Sequence, residues 1–319
     1  VRYSADFFFT YLYMNNLFPL LLETSGVCTD TREIRQNCLF IALKGDNFNG
    51  NEFANQAINN GAKYAIVDDK SKANDKNIFY VPSGLVFLQK LANHHRNTFD
   101  IPVIGITGSN GKTSTKELIQ TILSKQFNVL YTIGNLNNHI GVPLTLLRMN
   151  NTHDIAIIEM GANQPNDIEE LCSIADVNAG IITNIGKAHL EGFKNLEGVI
   201  KTKSQLYKAV QKIGGTLFYN QDDSILKDLL SAKTKNYSYG ISDANVRGEL
   251  HELTPYIKMS WSKEGHSSPI IETKMIGKYN FYNFLAAICI GNYYGISEKN
   301  ISEAIAEYLP DNNRSQVQK

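Results

Sequence analysis

This 319-residue sequence has no excess of either charge, no closely spaced pair of cysteines and no long hydrophobic run. The 31 Lys and Arg residues balance 31 Asp and Glu residues. Because nucleic-acid-binding proteins neutralise phosphates with clustered positive charge, this balance argues against bulk nucleic-acid binding. The four cysteines are scattered without a CxxC pair: Cys28, Cys38, Cys172 and Cys289. We therefore expect neither a disulfide framework nor a zinc site, and a reducing cytosol fits this pattern.

No hydrophobic run is long enough to cross a membrane. The most apolar stretch, residues 7–22, is interrupted by Asn15, Asn16 and Pro19, whereas a spanning helix needs about 20 consecutive apolar residues. The stretch also lacks the small-residue cleavage site of a signal peptide. It is interpreted as a leader followed by a short amphipathic helix. Met14 is a candidate natural start, so residues 1–13 are a candidate extraneous leader.

The length of the chain predicts two domains, since one compact domain usually needs fewer residues. Residues 14–99 predict a small N-terminal α/β domain. Within it, apolar residues recur at helical spacing from Phe53 to Ile58, and Gly61 fits a helix C-cap before an apolar run typical of a buried strand. Asp100 and Pro102 then interrupt a connecting helix, which predicts a boundary near residue 100.

Residues 100–312 alternate apolar strand patterns with helical patterns. This alternation predicts an α/β domain whose largely parallel sheet is covered by helices on both faces. Residues ~235–275 contain short strands bounded by turns, and they predict a small antiparallel appendage. After the helix that ends at Pro310, a strand-like pattern begins without a partner. We expect residues 313–319 to begin a C-terminal domain that this chain lacks.

A glycine-rich turn, TGSNGKT, lies between a predicted strand and a predicted helix. Gly108 and Gly111 would let the backbone wrap closely around phosphate oxygens, and the N–H groups that begin the helix point at the same charge. Lys112 would reach the β and γ phosphates, and the Thr113 hydroxyl would bind Mg²⁺. The general pattern asks for glycine at the position of Ile106. The predicted nucleotide-binding residues are Thr107, Gly108, Ser109, Asn110, Gly111, Lys112 and Thr113.

Two more polar residues follow predicted strands of the same sheet. Glu159 ends one strand, and His189 lies just beyond the next. Ligands of open α/β sheets gather at the carboxyl ends of strands, so these side chains and Thr113 would suit a divalent metal near a triphosphate. Ordinary structural interpretations also stand: an ion-paired or capping glutamate and a surface histidine. Lys201 and Lys203, in the next helix, equally fit a solvated basic face.

In this order the motifs resemble those of the Mur ligases, the ATP-dependent amide-forming enzymes of peptidoglycan precursor synthesis. The phosphate loop of that family accepts a residue other than glycine at the position of Ile106. The resemblance covers nearly everything from residue 14 to 316. It is carried by the segments TDTREI…LFIALKGDNFNG (29–50), GNLNNHIGVPLTLL (134–147), EMGANQPNDIEEL (159–171), NIGKAHLEGFKNLEGVIKTK (184–203) and GKYNFYNFLAA (277–287).

The resemblance implies catalytic roles for Lys112, Glu159, His189 and Lys203. It implies that Thr113 and Glu159 hold one Mg²⁺ and that His189 helps to hold a second. Lys203 matches a family lysine that is often carbamylated, which converts a cation into a carboxylate-like metal ligand.

This chain has Gln205 two residues after Lys203, where the family often has glutamate. The remaining implied roles concern the binding of ATP and of the UDP-linked substrate. The resemblance implies that Asn280 and Asn283 bind adenine and that Arg314 lies near the nucleotide. It implies that the UDP-sugar is bound by Thr31, Arg32, Lys44 and Asn49. It places on the substrate side of the ATP-binding domain Asn135 and Asn138.

The implied activity is the attachment of D-alanyl-D-alanine to UDP-N-acetylmuramoyl-tripeptide, because the segments are most similar to that branch of the family. A carboxylate would attack the γ-phosphate of ATP, with Lys112 and two Mg²⁺ ions neutralising the oxygens. The amine of the dipeptide would then attack the acyl phosphate. We expect a cytoplasmic monomer that binds ATP and the UDP-linked tripeptide, and negligible ligation by these residues alone.

Two alternatives stay open. The first is another Mur-type amide ligase, such as one that adds a single amino acid, an amidating partner or a relative of folylpolyglutamate synthase. The EMGANQP segment and the N-terminal unit argue against it. The second is a nucleotide-binding regulatory module that never ligates. A reading frame that continues for a further ~110–140 residues of alternating strands and helices would favour the ligase, and a stop after Lys319 would favour the module.

Overall fold

The computed structural model describes residues 15–186, 190–193 and 195–310. The described helices are α1 (Asn15–Leu22), α2 (Ala54–Asn59), α3 (Gly84–Arg96), α4 (Lys112–Leu123), α5 (Gly141–Leu146), α6 (Asp167–Ala175), α7 (Leu190–Phe193), α8 (Leu196–Lys212), α9 (Ser224–Asp228), α10 (Tyr279–Tyr293) and α11 (Glu298–Glu307). None of these helices combines the length and the apolarity that a membrane crossing requires.

The strands fall into two larger sheets and one two-stranded ribbon. They are β1 (Val27–Cys28), β2 (Leu39–Ile41), β3 (Lys44–Gly45), β4 (Phe48–Asn49), β5 (Tyr64–Val67), β6 (Ile78–Tyr80), β7 (Val103–Thr107), β8 (Val129–Tyr131), β9 (Ile155–Glu159), β10 (Ala179–Ile182), β11 (Thr216–Asn220), β12 (Lys235–Gly240), β13 (Val246–Glu252), β14 (Lys258–Lys263), β15 (His266–Ser267) and β16 (Ile271–Glu272). The chain divides into two compact units, which are described separately.

The first unit contains the described residues up to Phe99 together with His139–Met149. Its main sheet is parallel, in the order β1-β2-β5-β6. Residues on both faces of β2 are buried, including Phe40 and Ile41, which explains why its sequence is a continuous apolar run. On one face, Ala54 and Ala57 of α2 join the core, where small side chains allow the helix to approach the sheet closely.

The segment His139–Met149 belongs to this first unit, whereas the predicted central domain, residues 100–312, included it. Gln89 of α3 donates a hydrogen bond from Nε2 to the His139 carbonyl at 3.3 Å. At the other end of the segment, His95 Nε2 lies 2.9 Å from the Met149 carbonyl oxygen. Periodicity within the segment could not reveal this placement, because it depends on contacts with a helix more than forty residues earlier in the chain.

His95 is expected to make the protein sensitive to acid. Burial lowers its pKa, and this effect outweighs the hydrogen bond to the Met149 carbonyl, which acts in the opposite direction. As the pH falls through the ordinary histidine pKa, unfolded chains gain a proton that the folded chain resists, so stability falls. In chemical unfolding series at stepped pH, His95→Gln keeps a donor for Met149 and should lose less stability on acidification than the wild type. The exposed His266→Gln variant should follow the wild type, and an equal loss in all three proteins would contradict this role for His95.

The second unit contains Asp100–Asn138 and the described residues from Asn150 onward. Its ten-stranded sheet has the order β15-β14-β13-β12-β11-β10-β7-β9-β8, with β16 also paired to β14. The pairs from β8 to β13 are parallel, and the pairs that β14 makes are antiparallel. The predicted α/β class with a mostly parallel sheet and a small antiparallel appendage is thus confirmed.

One detail of the appendage differs from the prediction. Strand β12 was expected to be antiparallel but pairs in parallel with β11, and β13 pairs in parallel with β12. The short helix α9 lies between β11 and β12 and reverses the chain, which permits parallel pairing. A helix of five residues leaves too little periodicity in the sequence to be recognised.

Helices cover both faces of the parallel part of this sheet. Ile104 and Ile106 of β7 pack in one core with residues of α4 and α10. On the other face, a Cβ atom at Gly105 would approach Leu206 of α8 to 2.8 Å, so the absence of a side chain there allows α8 to lie close to the sheet. The buried faces hold the strands in register and fix where their carboxyl ends emerge.

Candidate functional site

Three neighbouring strands of the second unit end at one edge of the sheet. In the parallel register, Ile106 lies opposite Glu159, and Thr107 lies opposite Ile182. The loop that follows β7, the carboxylate that ends β9 and the residues that follow β10 therefore lie together. This is the edge at which the sequence predicted the phosphate loop and its polar neighbours.

The two glycines of the loop occupy positions that a side chain would disturb. Gly108 has φ 151°, and a Cβ atom there would lie 1.9 Å from the Thr183 hydroxyl oxygen. Gly111 has φ 77° and caps the N-terminus of α4. A Cβ atom at Gly111 would lie 2.6 Å from Oδ1 of Asn283. The first glycine thus allows contact with the segment after β10, and the second allows contact with α10.

Hydrogen bonds hold the middle of the loop against the segment that follows β10. The Ser109 N–H donates to the Asn184 carbonyl at 3.0 Å, and the Ser109 hydroxyl accepts from the Gly186 N–H at 2.9 Å. The Asn110 carbonyl accepts from the Thr183 hydroxyl at 2.6 Å and from Asn184 Nδ2 at 2.8 Å. These bonds fix the conformation of the loop within the folded chain.

Two lysines donate to one backbone oxygen in this loop. Lys112 Nζ lies 2.8 Å from the Gly108 carbonyl oxygen, and Lys203 Nζ lies 2.9 Å from the same atom. Lys203 is 2% exposed. Burial and, after it, the charge of Lys112 lower the pKa of Lys203 to about 8. The position of Lys203 excludes the solvated basic face that its sequence context allowed, whereas Lys201 is exposed.

The buried charge of Lys203 is expected to reduce stability at neutral pH. Its pKa falls from 10.5 to about 8 on folding, so between these values the unfolded chain holds a proton that the folded chain has lost, and stability rises with pH. Below that window the folded chain bears the full cost of the charge. Lys203→Met, which leaves the Gly108 carbonyl bonded to Lys112, should raise the free energy of unfolding by about 1–3 kcal/mol at neutral pH.

The measurement is a urea titration of both proteins from neutral pH to above the ordinary lysine pKa. The stability gain of Lys203→Met should shrink as the pH rises through the window. Lys212→Met, at the exposed end of the same helix, is the matched control and should change stability little at any pH. A destabilised Lys203→Met protein at neutral pH would show that the charge is compensated.

Glu159 is 1% exposed and is held through one of its two carboxylate oxygens. Oε1 accepts from Asn137 Nδ2 at 2.8 Å and from the Thr113 hydroxyl at 3.2 Å. Oε2 is buried, accepts no hydrogen bond from any described residue, and lies 3.8 Å from Lys116 Nζ. A buried carboxylate oxygen without a hydrogen bond, beside a hydroxyl, fits the oxygen ligands that Mg²⁺ prefers.

Carboxylate, histidine and thiol groups do not assemble a fuller metal cage in the part of the chain that the structure describes. Within residues 15–186, 190–193 and 195–310, no three His, Cys, Asp or Glu side chains are grouped so as to hold a metal ion. The predicted ligand His189 lies outside the described residues, as does Arg314. The structure thus brings Thr113, Glu159 and the two lysines to one edge of the sheet. The roles predicted for His189 and Arg314 stay predictions.

The two predicted adenine-binding asparagines lie in the first turns of α10, and both are buried. Asn283 Nδ2 donates to Asn280 Oδ1 at 2.8 Å, and Asn283 Oδ1 accepts from the Thr115 hydroxyl at 3.2 Å. Asn280 Nδ2 donates to the Ile276 carbonyl at 2.8 Å. This chain of bonds links α10 to α4 just behind the phosphate loop.

Gln205, which stands where the family often has glutamate, forms side-chain hydrogen bonds with Asn166 and Glu169. Its Nε2 donates to Asn166 Oδ1 at 3.0 Å and to Glu169 Oε2 at 3.2 Å. Its Oε1 accepts from the Glu169 N–H at 3.3 Å. An amide can make all three bonds because it carries both a donor and an acceptor. Gln205 therefore joins α8 to the first turn of α6.

The predicted sugar-binding residues of the first unit lie in two places. Arg32 forms an ion pair with Asp30 at the start of the short 3₁₀ helix that also contains Thr31, and its side chain is 87% exposed. Lys44 Nζ lies 3.1 Å from Asp68 Oδ1, and Asp68 also accepts from Asn51 Nδ2 at 2.8 Å.

Asn49 belongs to the second of these places, because its Oδ1 accepts from the side chain of Asn51 at 2.8 Å. Burial raises the pKa of Asp68, but its hydrogen bonds with Asn51, the Gly84 N–H and Lys44 together lower the pKa overall. Asp68 is therefore the anion that joins Lys44 to the Asn49–Asn51 pair.

The structure also adds residues that the sequence did not single out. Asn135 and Asn138 are exposed, and it is Asn137, between them, that contacts Glu159. Thr132 belongs to no recognisable sequence motif. Its hydroxyl nevertheless accepts a hydrogen bond from the Glu159 N–H at 3.0 Å. The run of asparagines in GNLNNH was the available signal, and only the turn geometry decides which member faces the sheet edge.

Two family models match the chain. The model described as "Mur ligase middle domain" matches residues 106–291, and the model described as "Mur ligase family, catalytic domain" matches residues 23–96. The chain belongs to the Mur ligase family.

Among Mur ligases, the chain is similar to UDP-N-acetylmuramoyl-tripeptide–D-alanyl-D-alanine ligases. It is 36% identical over 290 residues to that of Bacillus subtilis (strain 168), covering 88% of this chain and 61% of the relative. It is 41% identical over 314 residues to that of Buchnera aphidicola subsp. Baizongia pistaciae (strain Bp), covering 96% of this chain and 67% of the relative. The chain thus spans about three-fifths to two-thirds of the length of these Mur ligases.

Solved Mur ligase structures share the fold. Crystal structure I of MurF from Acinetobacter baumannii superposes with a TM-score of 0.84 at 28% identity, covering 94% of this chain and 70% of that chain. The MurF ligase from Thermotoga maritima in complex with ADP gives a TM-score of 0.82 at 27% identity, covering 94% of this chain and 69% of that one. In fold, this chain is therefore similar to these two MurF structures.

Proposed function

We propose that this chain provides the substrate-binding and ATP-binding parts of a ligase that joins D-alanyl-D-alanine to UDP-N-acetylmuramoyl-tripeptide. The observation that carries the proposal is the similarity to the UDP-N-acetylmuramoyl-tripeptide–D-alanyl-D-alanine ligase of Bacillus subtilis, which runs through 88% of this chain. The phosphate loop with two lysines at one carbonyl supports the ATP-binding part. A cytoplasmic location, where the nucleotide-linked substrate and ATP would meet, belongs to the same proposal.

The chemistry follows from the charge at the loop. The terminal carboxylate of the tripeptide attacks the γ-phosphate of ATP, so two anions must approach one another. Lys112 neutralises phosphate oxygens, and the backbone N–H groups at the start of α4 orient them. The attack forms an acyl phosphate and releases ADP. The amine of D-alanyl-D-alanine then attacks the acyl carbon, which forms the amide and releases phosphate.

Thr113 and Glu159 would hold one Mg²⁺ in this proposal, and His189 and a carbamate on Lys203 would hold a second. Bound Mg²⁺ neutralises phosphate charge and orients the phosphoryl group for in-line attack. The Glu159 oxygen that accepts no hydrogen bond from the described residues supports the first of these sites. Asn280 and Asn283 would bind adenine with Arg314 nearby, while Thr31, Arg32, Lys44, Asn49, Asn135 and Asn138 would bind the UDP-linked tripeptide.

Carbamylation of Lys203 is part of the same proposal. A carbamate forms when a neutral amine attacks carbon dioxide and loses a proton, and burial lowers the pKa of Lys203 to about 8, which supplies the neutral amine near physiological pH. The protein in ¹³C-bicarbonate should give a carbamate carbon signal that is missing in Lys203→Met. Identical spectra of the wild type and Lys203→Met would show that Lys203 is not carbamylated.

The test of the function is product analysis by mass spectrometry. The product of the open reading frame that contains these 319 residues is incubated with ATP, Mg²⁺ and UDP-N-acetylmuramoyl-tripeptide. D-alanyl-D-alanine should give the pentapeptide product and ADP, whereas single amino acids should give no product. A product with a single amino acid alone would assign another amide ligase. Nucleotide binding without any ligation would assign a binding module.

A further inference from the structure

Two of the four scattered cysteines meet in the first unit. Cys28 ends β1, and Cys38 comes directly before β2. These strands are neighbours in the parallel sheet, with Val27 opposite Leu39. As a result the two Sγ atoms lie 3.2 Å apart. Both side chains are buried, at 5% and 0% exposure.

The other two cysteines contact different groups. Cys172 Sγ lies 3.8 Å from the Met160 sulfur, and Cys289 Sγ lies 3.9 Å from the Tyr237 carbonyl oxygen. Both are buried within the second unit. They therefore serve as internal controls, because they share burial with the first pair but lack a thiol neighbour at contact distance.

We propose that Cys28 and Cys38 form a modification site at which a peroxide oxidant produces an intrachain disulfide. The sulfur of one cysteine, as thiolate, attacks a peroxide oxygen and becomes a sulfenic acid, releasing one water. The second thiol attacks that sulfur, the S–O bond breaks, and the oxygen leaves as a second water. Two electrons pass from the two thiols to the peroxide, and the S–S bond forms.

The geometry favours this outcome over other oxidation products. A disulfide needs the sulfurs about 1 Å closer than they are, a small movement for two side chains on adjacent strands. The second thiol already touches the first, so it intercepts the sulfenic acid before a second peroxide can. The reaction is slow at neutral pH, because burial and the hydrogen bond with Cys38 raise the pKa of Cys28 and the thiolate is scarce.

The disulfide would close a ring around residues 29–37. That segment contains the 3₁₀ helix Thr31–Glu33 and its cap Asp30. A covalent closure would restrict this segment in every state of the chain, including the unfolded one. The site goes beyond the proposed ligase function, since it concerns oxidation of the first unit and requires neither ATP nor the tripeptide.

The experiment treats the folded wild-type chain with hydrogen peroxide, then unfolds it in excess N-ethylmaleimide and maps the peptides by mass spectrometry. We expect a cross-linked peptide that contains Cys28 and Cys38, lighter by about 2 Da than the sum of its reduced halves. Cys172 and Cys289 should carry the maleimide. Reduction before alkylation should place the label on all four cysteines.

Variants separate the site from general oxidation. Cys172→Ser should give the same cross-link as the wild type, whereas Cys38→Ser should give none and should leave Cys28 either alkylated or oxidised further. Four alkylated cysteines in the wild type after peroxide would overturn the proposal. Disulfides that only join separate chains, or sulfinic acid at Cys28 in place of the cross-link, would overturn it as well.

Discussion

Gly108→Ala is expected to weaken nucleotide binding by at least about 100-fold and to destabilise the chain by about 2–4 kcal/mol. The new Cβ atom would lie 1.9 Å from Thr183 Oγ1 and 3.1 Å from Thr183 Cβ, and φ is 151°. The loop must then move away from β10, and the Gly108 carbonyl moves with it. That oxygen accepts from both Lys112 and Lys203, so the cationic centre of the phosphate cradle is disturbed.

The matched control is Gly214→Ala. Gly214 also has a positive φ, 68°, but among the described residues, its two chain neighbours apart, no atom lies within 4 Å of the new Cβ position. It should cost about 1–2 kcal/mol for its backbone conformation and leave nucleotide affinity unchanged. Both properties can be followed by calorimetric titration with ATP and by urea unfolding. Adding Thr183→Ala to Gly108→Ala removes the closest contact and should recover part of the loss. If Gly108→Ala binds ATP like the wild type, the loop does not form the site.

Lys112→Met should lower ATP affinity by about 100-fold while leaving the fold intact, because a charge-assisted hydrogen bond to phosphate contributes about 1.5–3 kcal/mol. In the structure, the Lys112 ammonium group donates a hydrogen bond to the Gly108 carbonyl at 2.8 Å, and Lys112 is only partly buried. Methionine has a similar length and helix propensity, so α4 should keep its first turn. The readout is equilibrium titration with ATP in the presence of Mg²⁺, together with the melting temperature.

Lys125→Met, beyond the C-terminal end of the same helix, removes one positive charge at a distance from the loop. Lys125 pairs with Glu307 at 3.0 Å on the surface, so its loss should change stability by less than about 1 kcal/mol and ATP affinity hardly at all. The difference between the two variants separates a local phosphate contact from a change in net charge. Equal effects of both variants on affinity would refute the role assigned to Lys112.

The alternation of strands and helices in the second unit could be predicted from sequence, because buried parallel strands such as β7 and β9 are short apolar runs between amphipathic helices. The glycines and Lys112 of the phosphate loop were also recognisable, since their chemistry requires a fixed local spacing. The antiparallel pairing predicted for β12 was wrong, because its parallel pairing depends on a helix that is too short to show periodicity. The grouping of His139–Met149 with the first unit likewise depends on packing with residues distant in sequence.

Other features of the site depend on the tertiary structure alone. Lys203 looks like any lysine of a basic helix, and only its placement under the Gly108 carbonyl explains its burial. Asn137 was indistinguishable from its neighbours, and the Cys28–Cys38 contact depends on the pairing of β1 with β2. Local patterns identify which chemistry is present, and long-range packing decides which side chains carry it.

The central claim, that these residues serve a ligase acting on a UDP-linked muramoyl peptide, is tested most directly by one titration. The 319-residue chain is titrated calorimetrically with UDP-N-acetylmuramoyl-tripeptide, with UDP-N-acetylglucosamine as the comparison ligand that lacks the peptide. The account predicts saturable one-to-one binding of the tripeptide compound and weaker binding of the comparison ligand. Absence of binding up to high micromolar concentrations, in a chain that still binds ATP, would contradict it.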